Sequence, residues 1–151
     1  MILIKNYISL LLILKNKNGF YLIDGSNNRI INNTAYNNSV DGGIYLSGGS
    51  YNIVSLNTVY NNSTCGINVE DKINNTITNN SIYENTGSGI LAEYDLVNNT
   101  IYGNNISDNT KAGINLTTNS QNNSIYNNYF SGNTPNAYDP STSSNFWNTT
   151  K

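Results

Sequence analysis

The stretch GINVEDKINNTITNNSIYENTGS, residues 66–88, decides the fold. It opens on Gly66-Ile67-Asn68-Val69-Glu70, where apolar and polar side chains alternate with the period of two that marks a half-buried strand. Two shorter apolar positions follow at Ile77 and Ile82, and Asn75, Asn80 and Asn85 stand around them at steps of five residues. The same arrangement lies on either side. Glycine keeps the beat at Gly19, Gly43, Gly66, Gly89 and Gly113, and the paired apolar positions recur as Ile30/Ala35, Val54/Val59, Ile101/Ile106 and Ile125/Phe130. Asparagine recurs in three series: Asn28, Asn52, Asn75, Asn99 and Asn123; Asn33, Asn57, Asn80, Asn104 and Asn128; Asn38, Asn62, Asn85, Asn109 and Asn133.

The repeat of about 23–24 residues marks a solenoid, whose units cannot bury an apolar face until a neighbour stacks on it. Three short strands per coil, separated by Asn-rich corners, predict an all-β fold: a single-stranded, right-handed parallel β-helix of triangular section. A leucine-rich repeat has a similar period but needs a dense Leu pattern and a helical segment, and the chain has neither. Asparagine suits the corners because it tolerates the left-handed backbone region and because its amide both donates and accepts. Stacked at the strand spacing of roughly 4.8 Å, identical amides form ladders that supplement a thin apolar core.

Composition fits one elongated domain: 37% of residues are hydrophobic and only 11% charged, so neutral amides and hydroxyls supply the solubility. With a net charge of −2 and no basic cluster, the chain is not a nucleic-acid binder. Its single cysteine, Cys65, occupies the small-residue slot shared with Gly42, Ser88 and Ala112, which excludes a disulfide framework and reads as a buried or corner residue rather than a reactive thiol. Residues 1–17 read as an incomplete first coil or N-terminal cap, since Asn6, Ile8, Ile13 and Asn16 fall one repeat before Asn28, Ile30, Ala35 and Asn38. The apolar run 8–14 offers the alternative of a secretion-signal remnant, but no small-residue cleavage site follows and the run is too short to span a bilayer. Residues 18–135 are the β-helix repeats. Residues 136–151 depart from the pattern and read as a C-terminal cap, with Phe146 and Trp147 folding over the end of the last coil. The absence of a polar cap at the first coil predicts a piece of a longer solenoid.

Sequons at Asn32, Asn37, Asn61, Asn62, Asn74, Asn79, Asn98, Asn105, Asn115, Asn122 and Asn148 offer glycosylation as another use of asparagine. In a chain this rich in Asn, Ser and Thr, several arise by chance.

The recurring Gly-Ile strand, the Asn-Asn-Thr/Ser-Ile corners and the terminal Asn136-Ala137-Tyr138-Asp139 and Asn145-Phe146-Trp147-Asn148-Thr149-Thr150-Lys151 segments resemble the NosD-like β-helix repeat family, part of the wider class of parallel β-helix domains of carbohydrate-binding proteins and sugar hydrolases. The resemblance covers about residues 18–150. It implies the fold and a cell-surface, secreted or periplasmic location. The family name also implies copper handling, which the residues disfavour: the sequence has no His, one Met at the start and one Cys, and copper sites need soft or imidazole donors.

Candidate site residues come from the outward strand positions. Four residues after each glycine stand Ile23, Ser47, Glu70, Glu93 and Thr117, which stacks Glu70 on Glu93, with Asp71 and Asp95 close by. Two carboxylates about 5 Å apart match a retaining glycosidase pair or a weak calcium site. They also match a chance meeting of two acids on an exposed face. Lys72 is the one basic residue of that turn, whereas a lyase needs a base and cations around a uronate. Glu84 and Asp108 form a second acidic pair. Tyr36, Tyr60 and Tyr83 share one outward position on consecutive coils, Tyr102 and Tyr126 share another, and Tyr21 stacks with Tyr45. Their rings suit sugar stacking, with cross-coil packing as the structural alternative. No cofactor motif is present, calcium being the one candidate ion. These residues point to a non-catalytic module, structural or associated with a polysaccharide or surface glycan. A carbohydrate-active enzyme domain is the alternative, and a plain spacer a third reading.

Overall fold

The computed structural model describes residues 7–9, 12–17, 19–70, 73–140 and 145–148. Every strand pair is parallel, each strand meeting its counterpart one coil away, and no helix occurs among the described residues. The chain is a β-solenoid with three faces. The glycine sheet comprises Phe20–Ile23, Ile44–Ser47, Ile67–Glu70, Ile90–Glu93, Ile114–Leu116 and Ala137–Tyr138. A second sheet runs from Tyr7–Ser9 through Arg29–Ile31, Ile53–Ser55, Thr76–Thr78, Thr100–Tyr102 and Ser124–Tyr126 to Phe146–Asn148. The third holds Leu12–Leu14, Thr34–Tyr36, Thr58–Tyr60, Ser81–Tyr83, Asn105–Ser107 and Tyr129–Ser131.

Register follows the repeat: Ile67 pairs with Ile44 and Ile90, Ile77 with Val54 and Ile101, and Ile82 with Val59 and Ile106. These side chains point inward and form one continuous apolar column. The recurrent glycines lie where the wall turns in on that column. A Cβ on Gly66 would sit 2.5 Å from Ile82 Cγ2 and 2.7 Å from the Gly89 carbonyl oxygen, so close approach of chain to chain, rather than a special φ, keeps the position glycine.

The asparagine series lie inside the corners, all but Asn133 buried. In the middle ladder, Asn80 Oδ1 accepts from both the backbone N–H and the side-chain amide of Asn57, and Asn80 in turn donates twice to Asn104 Oδ1. Corner N–H groups that the bending wall would leave without a strand partner are thereby satisfied. The two properties expected of one asparagine are divided between consecutive residues. The residue before each ladder member takes the left-handed backbone: Asn79 (φ 54°) before Asn80, Asn61 (φ 52°) before Asn62, Asn98 (φ 57°) before Asn99. The ladder residue itself does not, which explains the Asn-Asn doublets.

At the C-terminal end, Asn145 accepts from Asn123 and extends the first ladder by one rung, and Trp147 pairs in register with Ile125 and packs against the core. Trp147 Nε1 and Asn145 Nδ2 both donate to Asp139 Oδ2, at 2.9 and 3.1 Å. Phe146 alternates outward and is 63% exposed, so one aromatic of the pair, not both, covers the column. No helix among the described residues is long and apolar enough to cross a membrane.

Candidate functional site

Alternation on the glycine sheet sends two side chains per strand outward, and those rows build the floor of a groove. Asn68 and Glu70 come from one strand, Leu91 and Glu93 from the next, and Asn115 and Thr117 follow on the coil after. The loops that lead into each glycine supply one wall, including Asp41, Cys65 and Lys111. The hollow measures about 570 Å³, and a second of about 370 Å³ shares Glu93 and Thr117 with it and adds Tyr94 and Asp95.

Glu70 and Glu93 are strand partners, as are Ser47 and Glu70. The Tyr45 hydroxyl donates to Glu70 Oε2, and Asn68 Nδ2 donates to Glu93 Oε2 at 3.1 Å. Burial raises the pKa of Glu93 above the usual carboxylate range. The Asn68 hydrogen bond opposes that shift, while the hydrogen bond and charge of Glu70 add to it. Tyr45 is likewise pushed upward, by burial first and by Glu70 second. Thr117 Oγ1 donates to the Ala92 carbonyl and accepts from the Tyr94 N–H.

The other expected site residues are distributed as follows. Asp71 and Lys72 lie outside the described residues. Asp95 lines the smaller hollow, whereas Glu84 and Asp108 sit at left-handed corners (both φ 54°) and line neither hollow. The tyrosine columns are stacked face to face: Tyr36–Tyr60 at 4.8 Å and 5°, Tyr60–Tyr83 at 5.0 Å and 6°, Tyr102–Tyr126 at 5.1 Å and 6°. Ring faces are therefore engaged with one another within each column, and between the column ends a sugar meets only edges and hydroxyls. Lys111 is the basic residue that sequence reading missed, because it belongs to the loop of a later coil than the acids. Asn68 and Asn115 stand two residues after their glycines, so the alternation already marked them as outward.

The donors do not fit copper. Cys65 is buried, its Sγ–H pointing at the Asp41 carbonyl oxygen 3.8 Å away, and burial pushes the thiol up to about 12, so it stays protonated at neutral pH. The sequence offers no imidazole. Among the described residues no group of three or more His, Cys, Asp or Glu is placed to hold a metal ion.

The family model described as periplasmic copper-binding protein (NosD) matches residues 4–151. No curated protein matches the chain. Among solved structures, a double mutant of the periplasmic alginate epimerase AlgG aligns with a TM-score of 0.77 at 21% identity, over 93% of this chain and 38% of that one. A structure of AlgG without those substitutions aligns with a TM-score of 0.65 at 22% identity, over 90% of this chain and 39% of that one. The chain thus spans about two-fifths of the length of these neighbours, and at such identities the likeness is one of fold.

Proposed function

This chain belongs to the NosD family, and from that premise we propose that it is a glycan-associated β-solenoid module that works outside the cytoplasm and binds without cleaving. The family description and the titles of the structural neighbours both name periplasmic proteins, which supports the location. One observation carries the binding role: the groove on the glycine sheet, whose floor of carboxylates, amides and a hydroxyl is interrupted by Leu91. Sugar sites combine polar groups that take hydroxyls with apolar surface that takes ring carbons. Tyr94, 62% exposed at the rim of the adjoining hollow, offers a ring that no column occupies.

The placement of the carboxylates supports binding without cleavage. Glu70 and Glu93 project from neighbouring strands on the same side, bonded to Tyr45 and Asn68, whereas a glycosidase pair flanks the scissile bond from two sides. The enzyme reading draws support from one observation, the raised pKa of Glu93 beside a second carboxyl, which is the division of labour that acid and base need.

A glycan array with the purified protein tests the proposal. Retention on a subset of glycans is expected, and Asn115→Arg, which fills the groove, should reduce it at least about tenfold. Unchanged retention in that variant would remove the groove from the account. Release of reducing ends that Glu93→Gln abolishes would establish the enzyme reading.

A further inference from the structure

The corner that follows the glycine strand takes the left-handed backbone, and the residue that fills it changes character along the solenoid. It is Asp24 (φ 50°) and Gly48 (φ 68°) on two early coils and Tyr94 (φ 54°) on a later one, each five residues after its glycine. Aspartate and glycine tolerate that region, whereas an aromatic side chain there carries a conformational cost. Burial does not offset it, because Tyr94 is 62% exposed and its ring belongs to none of the stacked columns. The next coil holds the strained residue in place. The Tyr94 N–H donates to Thr117 Oγ1 at 3.1 Å, and Thr117 is itself fixed by two bonds to the Ala92 carbonyl, from its hydroxyl at 3.1 Å and its N–H at 3.0 Å.

The same corner is lengthened. Gly66 stands seven residues before Ile73 and Gly89 eight before Val97, yet Ile73 and Val97 pair across the coils, as do Val97 and Gln121, the latter eight residues after Gly113. The extra residue therefore lies in the segment that carries Tyr94, and again in the segment after Leu116. The smaller hollow opens between these two segments, lined by Glu93, Tyr94, Asp95, Thr117, Thr118 and Asn119. Each hollow thus has one apolar contact of its own, Leu91 in the larger and Tyr94 in the smaller, and they meet at Glu93 and Thr117.

We propose that Tyr94 is the platform of a second sugar subsite, an inference that rests on the glycan-binding reading of the groove. The face then takes two consecutive residues of a neutral glycan, one over Leu91 and one on the Tyr94 ring, with Glu93 and Thr117 facing the linkage between them. Leu91 and Tyr94 are three residues apart, at most about 10 Å along the chain, a span that two linked pyranoses cover and one does not. A phenol ring offers a flat apolar face to ring carbons and a polar tip to hydroxyls. Strained backbone held by its surroundings recurs at ligand clamps, which accounts for an aromatic at a corner where aspartate or glycine fits better. The carboxyl groups of Glu93 and Asp95 beside the ring disfavour a uronate there.

Isothermal titration with glucose, cellobiose and the mannuronate disaccharide tests this on the parent, Tyr94→Asn and Tyr94→Phe. In the parent, cellobiose should bind about tenfold more tightly than glucose, and the mannuronate disaccharide more weakly than cellobiose. Tyr94→Asn places a residue suited to the left-handed corner, so its Tm should rise by about 2–4 °C while its affinity for cellobiose falls about tenfold and that for glucose holds. Tyr94→Phe keeps the ring and should stay within about twofold of the parent. Cellobiose binding that Tyr94→Asn leaves intact, or equal binding of glucose and cellobiose, would overturn the second subsite and leave the glycan reading standing. A Tm below that of the parent in Tyr94→Asn would make the ring a structural contact and overturn its assignment as a platform. Tighter binding of the mannuronate disaccharide would overturn the neutral class. No binding of cellobiose would overturn the subsite, and retention on the glycan array then decides the broader reading on its own.

Discussion

Asn80 Oδ1 accepts two hydrogen bonds from Asn57, one from its backbone N–H at 2.9 Å and one from its side-chain amide at 3.0 Å. The same Asn80 donates through Nδ2 to the Val54 carbonyl and to Asn104 Oδ1. One side chain therefore joins three coils, and its removal leaves the Asn57 N–H buried without its acceptor. Asn80→Ala should destabilise by about 2–4 kcal/mol, against about zero for the exposed Gln121→Ala. Urea melts of the two variants check this, and equal effects would contradict the ladder account.

Left-handed corners filled by residues other than Asn or Gly are points of strain. Leu56 holds φ 56° with its side chain 57% exposed, so it bears the conformational cost without the compensation of burial. Leu56→Asn should stabilise by about 1 kcal/mol, a rise in Tm of about 2–4 °C for a chain of this size. A drop in Tm would show that Leu56 makes a contact of its own.

The glycines of the wall are steric. A Cβ at Gly66 would meet Ile82 Cγ2 at 2.5 Å, Gly89 O at 2.7 Å and Asn85 Nδ2 at 3.0 Å, three atoms held by the core, the next coil and a ladder. Gly66→Ala should cost about 2–4 kcal/mol despite the entropy that alanine removes from the unfolded chain. A neutral result in the same urea melts would mean that the coils can separate locally.

Glu93 links stability to pH. Its folded pKa lies above the unfolded value, through burial first and Glu70 second, with Asn68 opposing. The folded chain therefore binds more protons than the unfolded chain between those two values, so stability falls as pH rises through that window, and the penalty is complete above the folded pKa. Glu93→Gln should raise Tm at neutral pH by about 1–2 °C, a small gain because the side chain is half-buried and screened by solvent. The gain should vanish below about pH 4, where both states carry the proton. A gain that grows on acidification would reverse the assigned cause.

The fold was legible in the sequence because the constraints repeat: Gly66 and Ile67 recur one coil on as Gly89 and Ile90, and the three ladder Asn of each coil stand five residues apart. The site was legible in part. Alternation placed Glu70 and Glu93 together on the outside of the glycine sheet, where they are strand partners. Lys111 and Asp41 were hidden because their shared position, two residues before the glycine, holds Thr64 and Gly87 in the coils between, so residue type does not repeat there, and their wall forms only when coils stack. Asn145 escaped as a ladder member because it lies 22 residues after Asn123, beyond an irregular segment. The tyrosine positions were readable, but the direction of the ring faces was not. Column stacking at 4.8–5.1 Å depends on side-chain rotamers that spacing alone does not set.

The central claim, that the outer face of the glycine sheet is the binding surface, is tested most directly by titrating isotope-labelled protein with the best-retained glycan and following backbone amide signals by NMR. Shifts should concentrate on Asn68, Glu70, Leu91, Glu93, Asn115 and Thr117, the floor of the groove. Signals of Tyr36, Tyr60 and Tyr83 should stay in place. Shifts gathered on that tyrosine column, with the groove unmoved, would contradict the account.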